Sequence, residues 1–345
     1  MLISSLAVIL AGSATTSVPA AVAAPDVESK LRADLADVVR DAGAGEMIPV
    51  SIVLRDQVTP DVLQNMVRGV AKADRRAVVT QTLKAVAEAT QGDLLAALEA
   101  GQARGSVDGR VTSLWIQNVI ATSATPEMIF EIAARDDVAW VNWDRPIGEE
   151  VFPTLPGDAD RGIECGVDLM GAPDVWNQFG NRGEGIVVGV IDTGSCTHPD
   201  LVNQFWVNPN EIPNNNIDDD NNGYVDDISG WNFRDNNEAF GDSNGHGTHV
   251  AGTVLGDGTQ GEETGMAPNA ELMTLKFWNS FSGESVAWEC IQYGTDNGAD
   301  VLSGSFGWIY SVNPDRTTWR NVVEASIAAG VVNVYAAGNE GGGNP

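Results

Sequence analysis

Cysteine, histidine and basic side chains are all scarce in these 345 residues: 3 Cys, 3 His, and 19 Lys and Arg against 48 Asp and Glu. Three cysteines (Cys165, Cys196 and Cys290) cannot build a disulfide framework, and their spacings fit no zinc pattern. An oxidising compartment would permit one disulfide and leave one thiol over. The shortage of cations, net −29, excludes a nucleic-acid binder, because phosphate contacts need basic clusters. It equally excludes docking on anionic lipid. After the N-terminus no apolar run reaches the ~18–20 residues that span a bilayer. A wholly disordered chain is excluded too, since 43% hydrophobic residues supply a core. The length suggests two domains.

The charge is uneven. Residues 1–150 hold 20 acids and 13 bases, whereas residues 151–345 hold 28 acids and 6 bases. So acidic a second half suits either a solubilising surface or the recruitment of metal ions.

The chain opens on MLISSLAVILAGSATTSVPAAVAA, an apolar core followed by a small-x-small cleavage pattern. Residues 1–24 are therefore expected to be a secretory signal, although no Lys or Arg precedes the apolar run. Residues 48–54 (IPVSIVL) read as a strand by their β-branched content. Thr59-Pro60 opens a helical, Ala-rich stretch reaching about residue 100. Residues 111–121 are predicted as one strand, residues from 126 as a short helix and residues 138–143 (VAWVNW) as a last strand. This succession fits a small ferredoxin-like α+β domain over 25–145. A Pro-containing linker at 146–166 follows it. Beyond it, apolar runs at 185–191, 270–275, 301–305 and 331–337 alternate with helical stretches at 285–297 and 319–329. That alternation predicts an α/β domain over 167–345 with a mainly parallel sheet and its site at the strands' carboxyl ends.

Three motifs fall at such ends. Asp192 closes the run Val190-Ile191-Asp192-Thr193-Gly194. A carboxylate there must be paired, either as a structural cap or as the group that orients a histidine. His246 stands between glycines in Asn244-Gly245-His246-Gly247-Thr248-His249, which keeps an imidazole reachable for proton transfer near neutrality. The His246/His249 spacing of three lacks the i,i+4 pattern and Glu of zinc helices. Asn339 lies in Ala336-Ala337-Gly338-Asn339-Glu340-Gly341, as a turn residue or as a side-chain donor to an oxyanion.

Together these blocks, with THPDL at 197–201, GMAPNAEL at 265–272 and ADVLSGSFG at 299–307, resemble the subtilisin-like serine proteases (subtilases, peptidase S8). The resemblance implies a three-layer subtilisin-like α/β domain. It makes Asp192 the orienting carboxylate, His246 the base and then acid, and Asn339 the oxyanion donor. Ser305, Phe306, Gly307, Ala336, Ala337 and Gly338 would line the first specificity pocket, and Ser282-Gly283 would pair with substrate as an added strand. The first domain would be an inhibitor-type propeptide, acting on its own protease domain. Protein or peptide substrates, a monomer and an extracellular setting are implied as well.

One family feature is absent. The nucleophile belongs to a Gly-Thr-Ser-Met-Ala-x-Pro segment, and no Gly-Thr-Ser occurs in the 345 residues. The expectation is a C-terminally truncated precursor with an incomplete sheet, inactive as given. The rival is a non-catalytic peptide-binding or propeptide-inhibitor protein on the same scaffold.

A separate motif, IDDDNNGYVDD at 217–227, alternates oxygen ligands. Asp218, Asp220, Asn222, Tyr224 (by its carbonyl) and Asp226 take positions 1, 3, 5, 7 and 9 of an EF-hand-type loop, whereas position 12 is Ser229 rather than Glu. A structural Ca²⁺ is expected; the alternative is a solvated acidic loop.

Overall fold

The computed structural model describes residues 27–43, 45–145, 147, 162–278, 283–307 and 314–338. The expected signal at 1–24, most of the linker, Ser282 and Asn339 lie outside these residues.

The N-terminal domain holds α1 (Ala33–Asp41), β1 (Ile48–Leu54), α2 (Pro60–Met66), α3 (Lys72–Thr90), α4 (Gly92–Arg104), β2 (Val107–Leu114), β3 (Val119–Ala124), α5 (Pro126–Ala133) and β4 (Val138–Trp143). Its four strands pair antiparallel in the order β2-β3-β1-β4. Thr125 caps α5 by accepting from Met128 N, with Pro126 at the first helical position. One expectation fails here. The stretch 111–121 is a hairpin of two strands, turning at Trp115–Asn118 with Asn118 at φ 47°. No Gly or Pro marks this turn. Asn118 Nδ2 instead donates to Asp56 O at 2.7 Å, and the N–H groups of Trp115 and Ile116 donate to Gln292 of the second domain.

The second domain begins within the expected linker, with α6 (Cys165–Leu169) and α7 (Ala172–Phe179). It continues through β5 (Val187–Asp192), β6 (Gly230–Asn232), α8 (His246–Leu255), β7 (Glu271–Lys276), α9 (Glu284–Asp296), β8 (Val301–Gly304), α10 (Arg316–Ala328) and β9 (Val332–Tyr335). The sheet is parallel throughout, ordered β6-β7-β5-β8-β9. The short strand β6 had no sequence signal beyond Trp231. Helices cover both faces, as right-handed crossovers require. On one face Ala251 and Leu255 of α8 pack with Val188, Val190 and Leu272 of the sheet, and α9 and α10 pack on the other.

The two domains share a core. Val53, Leu63, Val79, Leu83 and Leu114 of the first domain join Trp288, Ile291, Val322 and Ala325 of α9 and α10 in one apolar cluster. Polar contacts frame it. Arg76 donates to Thr295 O (2.6 Å) and Ala299 O (2.8 Å) at the end of α9. Lys84 pairs with Asp296. The three cysteines form no disulfide: Cys165 and Cys196 are exposed and Cys290 is buried in α9.

Candidate active site

Asp192 is the last residue of the central strand β5, and His246 the first residue of α8. Both sit at the carboxyl end of the sheet. His246 Nδ1 lies 2.7 Å from Asp192 Oδ1, and Asp192 is 1% exposed. An ionised carboxylate only accepts, so Nδ1 carries the proton and Nε2 is the basic nitrogen. The hydrogen bond that Nδ1 donates to Asp192 raises the imidazole's proton affinity above the ordinary His value; partial burial opposes this, and the charges of Asp192 and Asp242 add to it.

Two glycines make the approach possible. A Cβ on Gly247 would lie 2.3 Å from Gly194 O and 3.0 Å from Asp192 Oδ1. Gly194, at φ 113°, would place a Cβ 2.3 Å from Phe240 O. The strand end and the helix start therefore meet backbone to backbone.

His249 lies one turn further along α8 and does not join the pair. The segments expected to line the first pocket follow adjacent strands. Ser305, Phe306 and Gly307 leave β8, Ala336, Ala337 and Gly338 leave β9, and Ala336 N donates to Gly304 O at 3.1 Å. Phe306 is buried against Phe277, with ring centroids 4.7 Å apart, and against Tyr335. Its ring is thus a foundation of this region rather than open lining. Gly283 is covered by the first domain: a Cβ there would fall 2.3 Å from Asp144 Oδ2.

Asp242 escaped the sequence reading. It accepts from Asn244 N, Gly245 N, Thr248 N, Thr248 Oγ1 and Thr193 Oγ1, all within 3.0 Å. Burial alone would raise its pKa, but these donors overcome burial and hold the carboxyl below its ordinary range.

The acidic loop is folded around its own carboxylates. Asp218, Asp220 and Glu211 each offer an oxygen, and the three atoms lie within 4.8 Å of one another. Hard oxygen donors converging in this way suit a cation such as Ca²⁺. Asn222 stays beside them, its Nδ2 donating to Asp220 and Asp227. Asp226 stands apart from the set: its carboxylate accepts from Asn215 N (3.1 Å) and Asn216 N (2.9 Å). The side chain of Tyr224 points inward, and its hydroxyl donates to Glu289 at 2.9 Å. Glu211 lies outside the 217–227 motif. It reaches the loop by accepting from Asp219 N and Asp220 N, which no local pattern could reveal.

Residues 183–345 match the Subtilase family, Peptidase_S8. The chain is 36% identical over 183 residues to the major intracellular serine protease of Bacillus subtilis (strain 168), covering 52% of this chain and 50% of that protein. It is 34% identical over 189 residues to an intracellular serine protease of Paenibacillus polymyxa, covering 53% and 49%. With bacillopeptidase F of B. subtilis the likeness extends into the first domain, at 29% over 294 residues, covering 77% of this chain and 19% of that one. The chain thus spans half or less of the length of these relatives. Among solved structures, a mutant of the epidermin leader peptide processing serine protease of Staphylococcus aureus shares the fold. The TM-score is 0.52 at 17% identity, covering 86% of this chain and 62% of that one.

Proposed function

We propose, from the match of residues 183–345 to the Subtilase family, that the complete protein is an exported serine endopeptidase made as a precursor. The carrying observation is the 2.7 Å bond between His246 Nδ1 and buried Asp192. In this reading the family's serine is supplied by sequence outside residues 1–345. His246 Nε2 removes the hydroxyl proton as the serine attacks a peptide carbonyl. Asp192 holds the tautomer and stabilises the imidazolium. Asn339 donates to the oxyanion. The leaving amine takes its proton from His246, and water then releases the acyl-enzyme by the same steps in reverse.

The first domain is read as the propeptide inhibitor, ferredoxin-like by its β-α-β-β-α-β chain order. Its support is the shared core with α9 and α10, and the placing of Asp144 over Gly283. The first pocket is assigned to Ser305, Gly307, Ala336, Ala337 and Gly338 on the floor that Phe306 provides. The acidic loop is assigned a structural Ca²⁺ held by Asp218, Asp220, Asn222 and Glu211, with the Tyr224 carbonyl. Bound there, the ion would offset clustered negative charge. Export rests on the pattern of residues 1–24, and an intracellular enzyme, as two relatives are named, is the alternative.

The test uses the open reading frame extended past codon 345. A serine-directed fluorophosphonate should label the processed product at a serine outside residues 1–345, and His246→Ala should abolish labelling. Absence of labelling, together with tight binding of intact peptides, would overturn this reading in favour of a non-catalytic peptide-binding protein.

A further inference from the structure

We infer that Asp242 is the positioning residue for His246, fastening the start of α8 to the end of β5 so that the imidazole meets Asp192. Its two oxygens serve different tasks. Oδ2 accepts from Thr248 N (2.9 Å) and Thr248 Oγ1 (2.7 Å), which fixes the first turn of α8. Oδ1 accepts from Asn244 N and Gly245 N, both at 2.9 Å, which fixes the turn entering His246. The same Oδ1 takes Thr193 Oγ1–H at 3.0 Å. Thr193 follows Asp192 directly, and its Oγ1 accepts from Gly247 N at 2.9 Å. One carboxylate and one hydroxyl thus tie the residue after Asp192 to the residue after His246.

The arrangement does more than cap a helix. A cap satisfies the free N–H groups at the start of a helix. Here the side chain after the catalytic-strand carboxylate is recruited as well, which restricts sliding of the helix along the strand. A ring hydrogen bond at 2.7 Å tolerates little displacement, and misplacement by about 1 Å typically costs on the order of 100-fold in rate. The neighbouring charge that could compete is Lys276, and its Nζ is engaged by Gly241 O, adjacent to Asp242 in the chain. Thr248 Oγ1 also accepts from Cys196 N at 3.1 Å, so the clamp extends into the loop that leaves β5.

This inference extends the reading of His246 as the base, but its test reads geometry whether or not the chain is a protease. With only three histidines, His198→Gln and His249→Gln assign the His246 signals in NMR spectra of the full 345-residue chain. Asp242→Asn keeps one acceptor oxygen and loses the charge; Asp242→Ala loses both. We expect the His246 titration midpoint to fall in both, further for Ala than for Asn. The low-field Nδ1 proton of the Asp192 bond should weaken in Ala and persist in Asn. Thr125→Ala, a cap lost from the N-terminal domain, should lower the melting temperature without moving either signal. An unchanged midpoint in both folded Asp242 variants overturns the inference in favour of a plain helix cap. An equal fall in both, with the Nδ1 proton retained, overturns it in favour of charge alone.

Discussion

Arg110 of β2 grips Glu289 of α9 with both arms of its guanidinium, Nη1 to Oε2 at 3.0 Å and Nη2 to Oε1 at 2.5 Å. Glu289 is wholly buried, and its other partner is the hydroxyl of Tyr224 from the acidic loop. Burial raises the pKa of the carboxyl and Arg110 opposes that rise. One carboxylate therefore joins the first domain, the interface helix and the acidic loop.

Removing Arg110 should be costly for that reason. Arg110→Ala leaves Glu289 buried without its cation, and breaking one side of such a pair costs about 2–5 kcal/mol. The side chain of Arg110 is 38% exposed, which favours the lower end. Thermal melts of Arg110→Ala, Glu289→Gln and the double variant should show the double losing less than the sum. Strict additivity would mean that the pair is not coupled.

Glu284, at the start of α9, lies against Asp144 from the first domain. Burial first, and the charge of Asp144 second, push its pKa up to about 8. Trp319 Nε1 and Asp315 N donate to it, while Arg32, Asp34, Arg145 and Arg316 line the cavity of about 330 Å³ alongside. The folded value exceeds the ordinary 4.5, so this contribution to stability is complete below pH 4.5 and is lost as pH rises through 8. Melting temperatures should fall between pH 4.5 and pH 8 and level off above it, and Glu284→Gln should flatten that slope. A slope unchanged by the substitution would assign it to other groups.

Asp192→Asn should lower the titration midpoint of His246, because the Asp192 hydrogen bond is the main cause of its elevation. A raised folded pKa stabilises the protonated side. The stability gap to wild type should therefore be widest below His246's ordinary value of 6.5 and shrink as pH rises through its folded value. Under the proposed function, the same change in the complete protein should cost on the order of 10⁴-fold in kcat. A midpoint that does not move would show that the 2.7 Å bond is not maintained in solution.

Gly247→Ala tests the close approach of strand and helix. Alanine favours helices, yet its Cβ would press on Gly194 O at 2.3 Å. Overpacking of this kind costs about 1–3 kcal/mol. A lower melting temperature and a weakened Nδ1 proton signal should accompany each other; a stabilised chain would mean that α8 shifts freely.

The sequence by itself determined four of the five strands of the second domain, the helices α9 and α10, and the residues of the Asp192–His246 pair. These are local signals: apolar runs that pack in a parallel sheet, and glycines that bracket a reactive side chain. It also marked the acidic loop, because alternating carboxylates are legible along one stretch of chain. Tertiary structure decided the rest. The hairpin at Trp115–Asn118 carries no Gly or Pro and only Asn118 as a turn residue, and it forms where Gln292 and Asp56 supply partners from distant chain. Glu211 enters the acidic cluster only when its segment folds back on Asp219 and Asp220. Asp242 gains its role only where the end of β5 brings Thr193 within reach. Arg110 and Glu289 are 179 residues apart and meet only when the first domain seats on α9. Hydrophobic periodicity and glycine placement act over a few residues and can be read along the chain, whereas a hydrogen-bonded carboxylate takes its meaning from donors that only the folded chain delivers.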